Sequence, residues 1–160
     1  MLMKIASFDF ILATSPQRIK TSALFFTMLL YFDTNVILDA LLERKNKYGR
    51  DISLPASKLL FQIVECKHYI VISNWAKREL GKHIKNVNSL FALIKPKMHT
   101  VNYTEEDVEE AKRRSPEHYE DALHGILAHK AGADFIVTRN VTDFRCVSDL
   151  IEARRPEFFL

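Results

Sequence analysis

From Met28 onward the chain alternates between two hydrophobic rhythms. Leu29–Asp33 is a short apolar run closed by an acid, as in a strand buried on both faces. Thr34–Leu42 is helix-like, and a polar loop follows from Glu43 to Leu54. Pro55 suits the first turn of a helix running to about Cys66, with Leu59, Leu60 and Ile63 on one side. Tyr69–Ile72 is β-rich, Ser73 suits the N-cap of a helix through His83, and Asn86–Ile94 predicts a further helix. Met98–Tyr103 reads as a strand. Thr104, followed by Glu105, Glu106 and Asp107, opens a helix with negative charge at its positive end. Ser115-Pro116-Glu117 repeats that start signal for a helix that stops at Gly132. Phe135–Thr138 predicts a strand, Val147–Arg154 a short helix and Pro156–Leu160 a last edge strand.

Strands separated by helical segments make βαβ units, hence an α/β fold with a parallel sheet covered on both faces. In such sheets the sites form in the crevice beyond the carboxyl ends of the strands. The domain is expected over residues 28–160. Residues 1–27 read as an N-terminal extension outside it, with Met28 as a natural start. The apolar run Ala23–Phe32 covers ten residues, about half of what a bilayer-spanning helix needs. Asp9, Pro16, Arg18 and Lys20 interrupt any secretory signal.

Composition adds limits. A chain of 160 residues, 48% apolar and 27% charged, has enough hydrophobic material for one ordinary core. Its two cysteines, Cys66 and Cys146, lack metal-ligand spacing and suit a reducing compartment, so a cytoplasmic location is expected. The net charge of +3 permits a polyanionic partner without requiring one. Basic residues gather at Arg44, Lys45, Lys47 and Arg50, at Lys77, Arg78, Lys82 and Lys85, and at Lys112–Arg114. These are candidates for phosphate contacts, although solvated helix faces would look the same.

The chemistry lies in the acids. Asp33 closes the first strand and Asp143 follows a later one, so both fall at the same edge of the sheet. Singly, Asp33 reads equally as a helix N-cap and Asp143 as a turn former. Asp121 heads a stripe of small residues, Gly125, Ala128 and Gly132, that admits close approach by a ligand or by a packed neighbour. Glu79 sits in a charge-rich helix where a solvated glutamate is the plain alternative.

The segment Leu30-Tyr31-Phe32-Asp33-Thr34-Asn35-Val36-Ile37-Leu38-Asp39 resembles the opening motif of PIN-domain nucleases. Ile136-Val137-Thr138-Arg139-Asn140-Val141-Thr142-Asp143-Phe144 resembles their closing motif, especially in VapC-type toxins. Glu79-Leu80 and Tyr119-Glu120-Asp121-Ala122-Leu123 are similar to the second and third acidic motifs. The resemblance spans about Met28 to Leu160. It implies a three-layer α/β/α fold with a central, mostly parallel sheet, and an acidic pocket of Asp33, Glu79, Asp121 and Asp143. It also implies Mg²⁺ or Mn²⁺ and an RNA substrate, with Asn35, Thr138 and Asn140 in support. The same likeness implies the toxin of a toxin–antitoxin pair, an antitoxin partner and a homodimer, with a stand-alone RNA-processing nuclease of the same active site as a close variant. Asn140 stands where some members carry a further acid.

Elementary chemistry agrees with that expectation. Converging carboxylates repel one another by a few kcal/mol per close pair at an effective dielectric of about 20, and cations relieve this. Oxygen donors select Mg²⁺ or Mn²⁺, and no histidine–cysteine set suits zinc. Asp33 and Asp121 are expected as principal ligands, with Asp143 and Glu79 completing the shell or orienting water. Arg139 and Arg145 flank Asp143 and are candidates for binding substrate phosphates. The six histidines form no set; His124, one turn after Asp121, could hydrogen-bond near the site but reads as a satisfied helix histidine and is left out of it. Two rivals remain: a non-catalytic RNA- or protein-binding module on the same fold, and a phosphoryl-accepting receiver domain. The latter needs a lysine after a late strand, where Thr138-Arg139-Asn140 has none.

Overall fold

Strand β1 (Leu29–Phe32) lies at the centre of a five-stranded sheet of order β3-β2-β1-β4-β5, every pairing parallel. The computed structural model describes residues 27–65 and 67–160. The reading of residues 1–27 as an extension falls, but for its last residue, outside the described residues, as does that of Cys66 as a free thiol. Around β1 stand β2 (Tyr69–Ser73), β3 (Met98–Val101), β4 (Phe135–Val137) and β5 (Ala153–Arg154). The helices are α1 (Thr34–Leu42), α2 (Ser53–Val64), α3 (Asn74–His83), α4 (Val87–Ile94), α5 (Glu105–Arg114) and α6 (Tyr119–Lys130). Among the described residues no helix is long and apolar enough to cross a membrane.

Successive strand residues point to opposite faces, which divides the core in two. Leu30, Phe32, Ile70, Ile72 and Val137 pack with α1, α2 and α4 on one face. Tyr31, Val71 and Ile136 pack with α6 and with Phe144, Val147 and Ile151 on the other. Each fully buried aliphatic or aromatic side chain contributes about 1.5–3 kcal/mol of transfer free energy. The architecture is therefore three-layer α/β/α.

Local signals explain most boundaries. Asp33 caps α1, and Ser73 caps α3 by accepting from the Ala76 N–H at 3.0 Å. Thr104 and Asp107 close a reciprocal capping box on α5. Three expectations need correction. The Ser115-Pro116 signal does not start a helix: Ser115 ends α5, its N–H bonded to the Ala111 carbonyl, and α6 begins at Tyr119. A residue before proline is driven out of the helical region, so Pro116 acts here as a stop. The chain end also differs. Val141–Val147 forms a 3-10 turn and Ala153–Arg154 is the edge strand, while Pro156–Phe159 is a further 3-10 turn. The free edge of β4 decides this, because Ile136 and Thr138 donate to the carbonyls of Glu152 and Arg154. Phe158 and Phe159 then fold back against Phe135.

Candidate active site

β1 ends where Asp33 donates its N–H to the Val137 carbonyl of β4 at 3.0 Å. The chain turns directly into α1, leaving the Asp33 side chain 4% exposed at the carboxyl edge of the sheet. Its Oδ2 accepts from the fully buried Thr138 hydroxyl at 2.9 Å, and its Oδ1 accepts from the Asn35 N–H at 3.4 Å. The same Thr138 oxygen accepts from the Asn140 N–H at 3.1 Å. Asp33 is thus both a helix cap and a carboxylate fixed at the end of the central strand.

The neighbouring Thr34 donates through Oγ1 to Glu79 Oε2 at 2.6 Å, which ties α3 to the start of α1. Glu79 also faces His124 Nε2 at 3.2 Å, and His124 Nδ1 lies 2.8 Å from the Tyr31 hydroxyl. Tyr31 in turn donates to Ser73 Oγ at 2.7 Å. Burial raises the Glu79 carboxyl, but hydrogen bonds from His124 and Thr34, with the charges of His124 and Lys82, hold it below the usual carboxylate range. Burial also drives the Tyr31 phenol far above its ordinary value.

Asp121 stands in the first turn of α6. Burial pushes its carboxyl up to about 6, and the negative charges of Asp33 and Asp143 push in the same direction. Asp143 is exposed in the 3-10 turn after β4, its N–H bonded to the Asn140 carbonyl at 3.0 Å. Gly125 makes the approach of this turn to α6 possible. A Cβ there would stand 2.3 Å from Val147 Cγ2, closer than any real contact. The small-residue stripe headed by Asp121 therefore seats a neighbouring segment, and Gly132, at φ +67°, serves the helix end instead.

The remaining candidates are more scattered. Arg139 places Nε 3.1 Å from Oδ2 of the buried Asp39, whose Oδ1 lies 3.5 Å from Arg44. Burial raises the Asp39 carboxyl despite these two cations, and Asp33 adds to the effect. Arg145 is exposed and makes no ion pair among the described residues, and Asn140 is exposed beside Arg139. Sequence reasoning passed over Thr34, Tyr31, Ser73, His124 and Asp39. A tyrosine in an otherwise apolar strand was the available signal, because a buried hydroxyl needs a partner.

The donor set is composed of carboxylate oxygens, since both His124 nitrogens are already engaged. Among the described residues no three Asp, Glu, His or Cys side chains close a ligand set by themselves. Carboxylate oxygens are hard donors of the kind that hold Mg²⁺ or Mn²⁺ rather than zinc.

No match to the chain was found among curated proteins. The PIN domain family model matches residues 30–142, well over half of the 160 residues. The match takes in Asp33, Glu79 and Asp121 and ends one residue before Asp143. The order of the strands, the acids at their carboxyl edge and this match agree: the chain belongs to the PIN-domain family, and its fold is of the nuclease type.

Proposed function

We propose that the protein is an endoribonuclease that hydrolyses RNA phosphodiester bonds with Mg²⁺ or Mn²⁺. The observation that carries this reading is the convergence of acids from distant parts of the chain: Asp33 ends β1, Thr34 beside it holds Glu79 of α3, and the charges of Asp33 and Asp143 reach Asp121 of α6. A cluster of that kind is costly without protons or cations, and near neutral pH a divalent cation is the natural occupant. Asp33, Asp121 and Asp143 would hold it, with Glu79 completing the shell or orienting water. When bound, the cation supplies charge neutralisation and Lewis acidity at the attacked phosphate. Thr138 and Thr34 keep the Asp33 and Glu79 carboxylates in place, and His124 bonds Glu79 from α6.

The finer role, toxin of a toxin–antitoxin pair in the cytoplasm, acting as a homodimer and held by an antitoxin, rests on the VapC-like closing motif and on family analogy. Induced expression with and without the gene's neighbour tests it, with growth arrest relieved by the neighbour as the supporting outcome.

Incubation of the purified protein with single-stranded RNA, with and without Mg²⁺ or Mn²⁺, tests the activity. Cleavage that needs the metal and falls at least a hundredfold in Asp33→Asn supports it. Equal cleavage by the variant points to a contaminant, and RNA binding without cleavage favours the non-catalytic binding module.

A further inference from the structure

The three basic clusters end in different electrostatic situations. Lys112, Arg113 and Arg114 are paired with Glu109, Glu110 and Asp149. Lys77 donates to Thr100, and the Arg78 guanidinium lies 4.3 Å from the Trp75 ring centre. In the first cluster Arg44 is drawn to Asp39, but Lys47 and Arg50 are exposed and make no ion pair among the described residues.

Those two residues belong to an ordered hairpin. Asn46 Oδ1 accepts from the N–H groups of Tyr48 at 2.9 Å and Arg50 at 3.0 Å, and Lys45 pairs with Asp51 across its base. Gly49, at φ +76°, supplies the left-handed turn. The hairpin displays the Tyr48 ring 80% exposed, with Lys47 Nζ 5.1 Å from its centre. Beneath it lies a cleft of about 510 Å³, lined also by Arg139, Asn140 and Arg155. Its acids are Asp39, already matched by Arg139, and Glu157, so the wall keeps a positive excess. The cleft borders the acidic site through one short link, because Thr138 Oγ1 bonds both Asp33 Oδ2 and the Asn140 N–H.

We infer that this cleft binds the nucleotide next to the scissile phosphate of single-stranded RNA, the base stacking on Tyr48 and the backbone phosphates meeting Lys47, Arg50 and Arg155. An exposed aromatic ring beside unpaired cations is the combination that single strands use: a stacking platform beside an electrostatic track. A duplex keeps its bases stacked on one another and has no free face for the ring. The inference rests on the ribonuclease reading for its choice of RNA.

The test is fluorescence anisotropy with a labelled single-stranded oligoribonucleotide, in an Asp33→Asn background so that nothing is cut. Tyr48→Ala is expected to weaken binding about tenfold while Tyr48→Phe keeps it, since stacking needs the ring and not the hydroxyl. Arg50→Ala with Arg155→Ala is expected to flatten the slope of log Kd against log salt by about 1 to 2, near 0.7 for each phosphate no longer neutralised. These residues are exposed, and unchanged thermal unfolding serves as the folding control. Binding that Tyr48→Ala leaves unchanged overturns the cleft alone. Tyr48-dependent binding by a protein that never cleaves RNA overturns the nuclease reading and leaves the cleft standing. Absence of any RNA binding overturns both.

Discussion

His124 uses both ring nitrogens at once, Nε2 towards Glu79 Oε2 at 3.2 Å and Nδ1 towards the Tyr31 hydroxyl at 2.8 Å. Tyr31 also bonds Ser73 Oγ at 2.7 Å, so the phenol joins the imidazole to β2. His124 is thus held between Glu79 and Tyr31. Burial alone would lower its proton affinity, but the Glu79 hydrogen bond and the charges of Asp33, Glu79 and Asp121 hold it above the ordinary histidine value.

This pair gives stability a defined pH window. His124, raised, contributes fully below its ordinary 6.5 and loses its contribution as pH rises through the folded value. Glu79, lowered, contributes fully above its ordinary 4.5 and loses its contribution as pH falls through the folded value. The contribution is complete between 4.5 and 6.5. His124→Ala is expected to lose about 2–4 kcal/mol at pH 5.5, through the lost bonds and the cavity left behind. The loss shrinks at pH 8.5. Urea unfolding of both proteins at the two pH values checks this, and a pH-independent difference would contradict it.

Asp121 behaves in the opposite sense to a paired acid. Its carboxyl is raised from 3.8 to about 6, so ionising it destabilises the metal-free fold as pH rises through that interval. Asp121→Asn is expected to stabilise the metal-free protein at pH 7.5 by about 1–2 kcal/mol, a figure reduced for the screening of a half-exposed group. At pH 4 the gain disappears. Thermal melting with EDTA and with Mn²⁺ reads both halves: the wild type gains from Mn²⁺, and the variant gains little.

The Gly125–Val147 approach predicts that a methyl group is harmful where a helix would ordinarily welcome it. Gly125→Ala gains about 1 kcal/mol of helix propensity but costs about 1–3 kcal/mol or more in overpacking against Val147. The expected net effect is a loss, with a larger fall in RNA cleavage because the turn carrying Asp143 moves away from α6. Adding Val147→Ala should return most of the stability. A double-mutant cycle by urea unfolding measures the coupling, and simple additivity would show that the two residues do not clash.

Arg139 lies against Asp39, a buried acid whose other cation stands 3.5 Å away. Its removal leaves that charge poorly compensated. Arg139→Ala is expected to destabilise the fold by about 1–3 kcal/mol, and Asp39→Asn in the same chain to recover most of it. A variant of unchanged stability that only weakens RNA binding would assign Arg139 to the substrate instead.

The order of elements was legible because each strand and helix carries its own rhythm. Leu29–Phe32 is a continuous apolar run, and Thr104 with Asp107 announces α5 within four residues. Asp33 stands out by its place at the end of β1 and Asp143 by its place after β4, whereas Glu79 and Asp121 lie on helices. What stayed hidden depends on contacts between distant segments. Ala153–Arg154 is a strand only because β4 presents an open edge, and His124 joins the acid network only once β1 and α3 lie beneath α6. Ser115-Pro116 misled because the same dipeptide opens one helix and closes another, and local chemistry does not say which.

Placing β1 in the middle of the sheet has a price in time. One side of this strand is paired by β2 about 40 residues later, but the other stays bare until β4 is made, more than 100 residues on. During synthesis the chain therefore carries an open hydrophobic strand edge for most of its length, the situation in which sticking to other chains competes with folding. Closing so long a loop is slow, and the domain is expected to fold late and all at once, after β4 has left the ribosome.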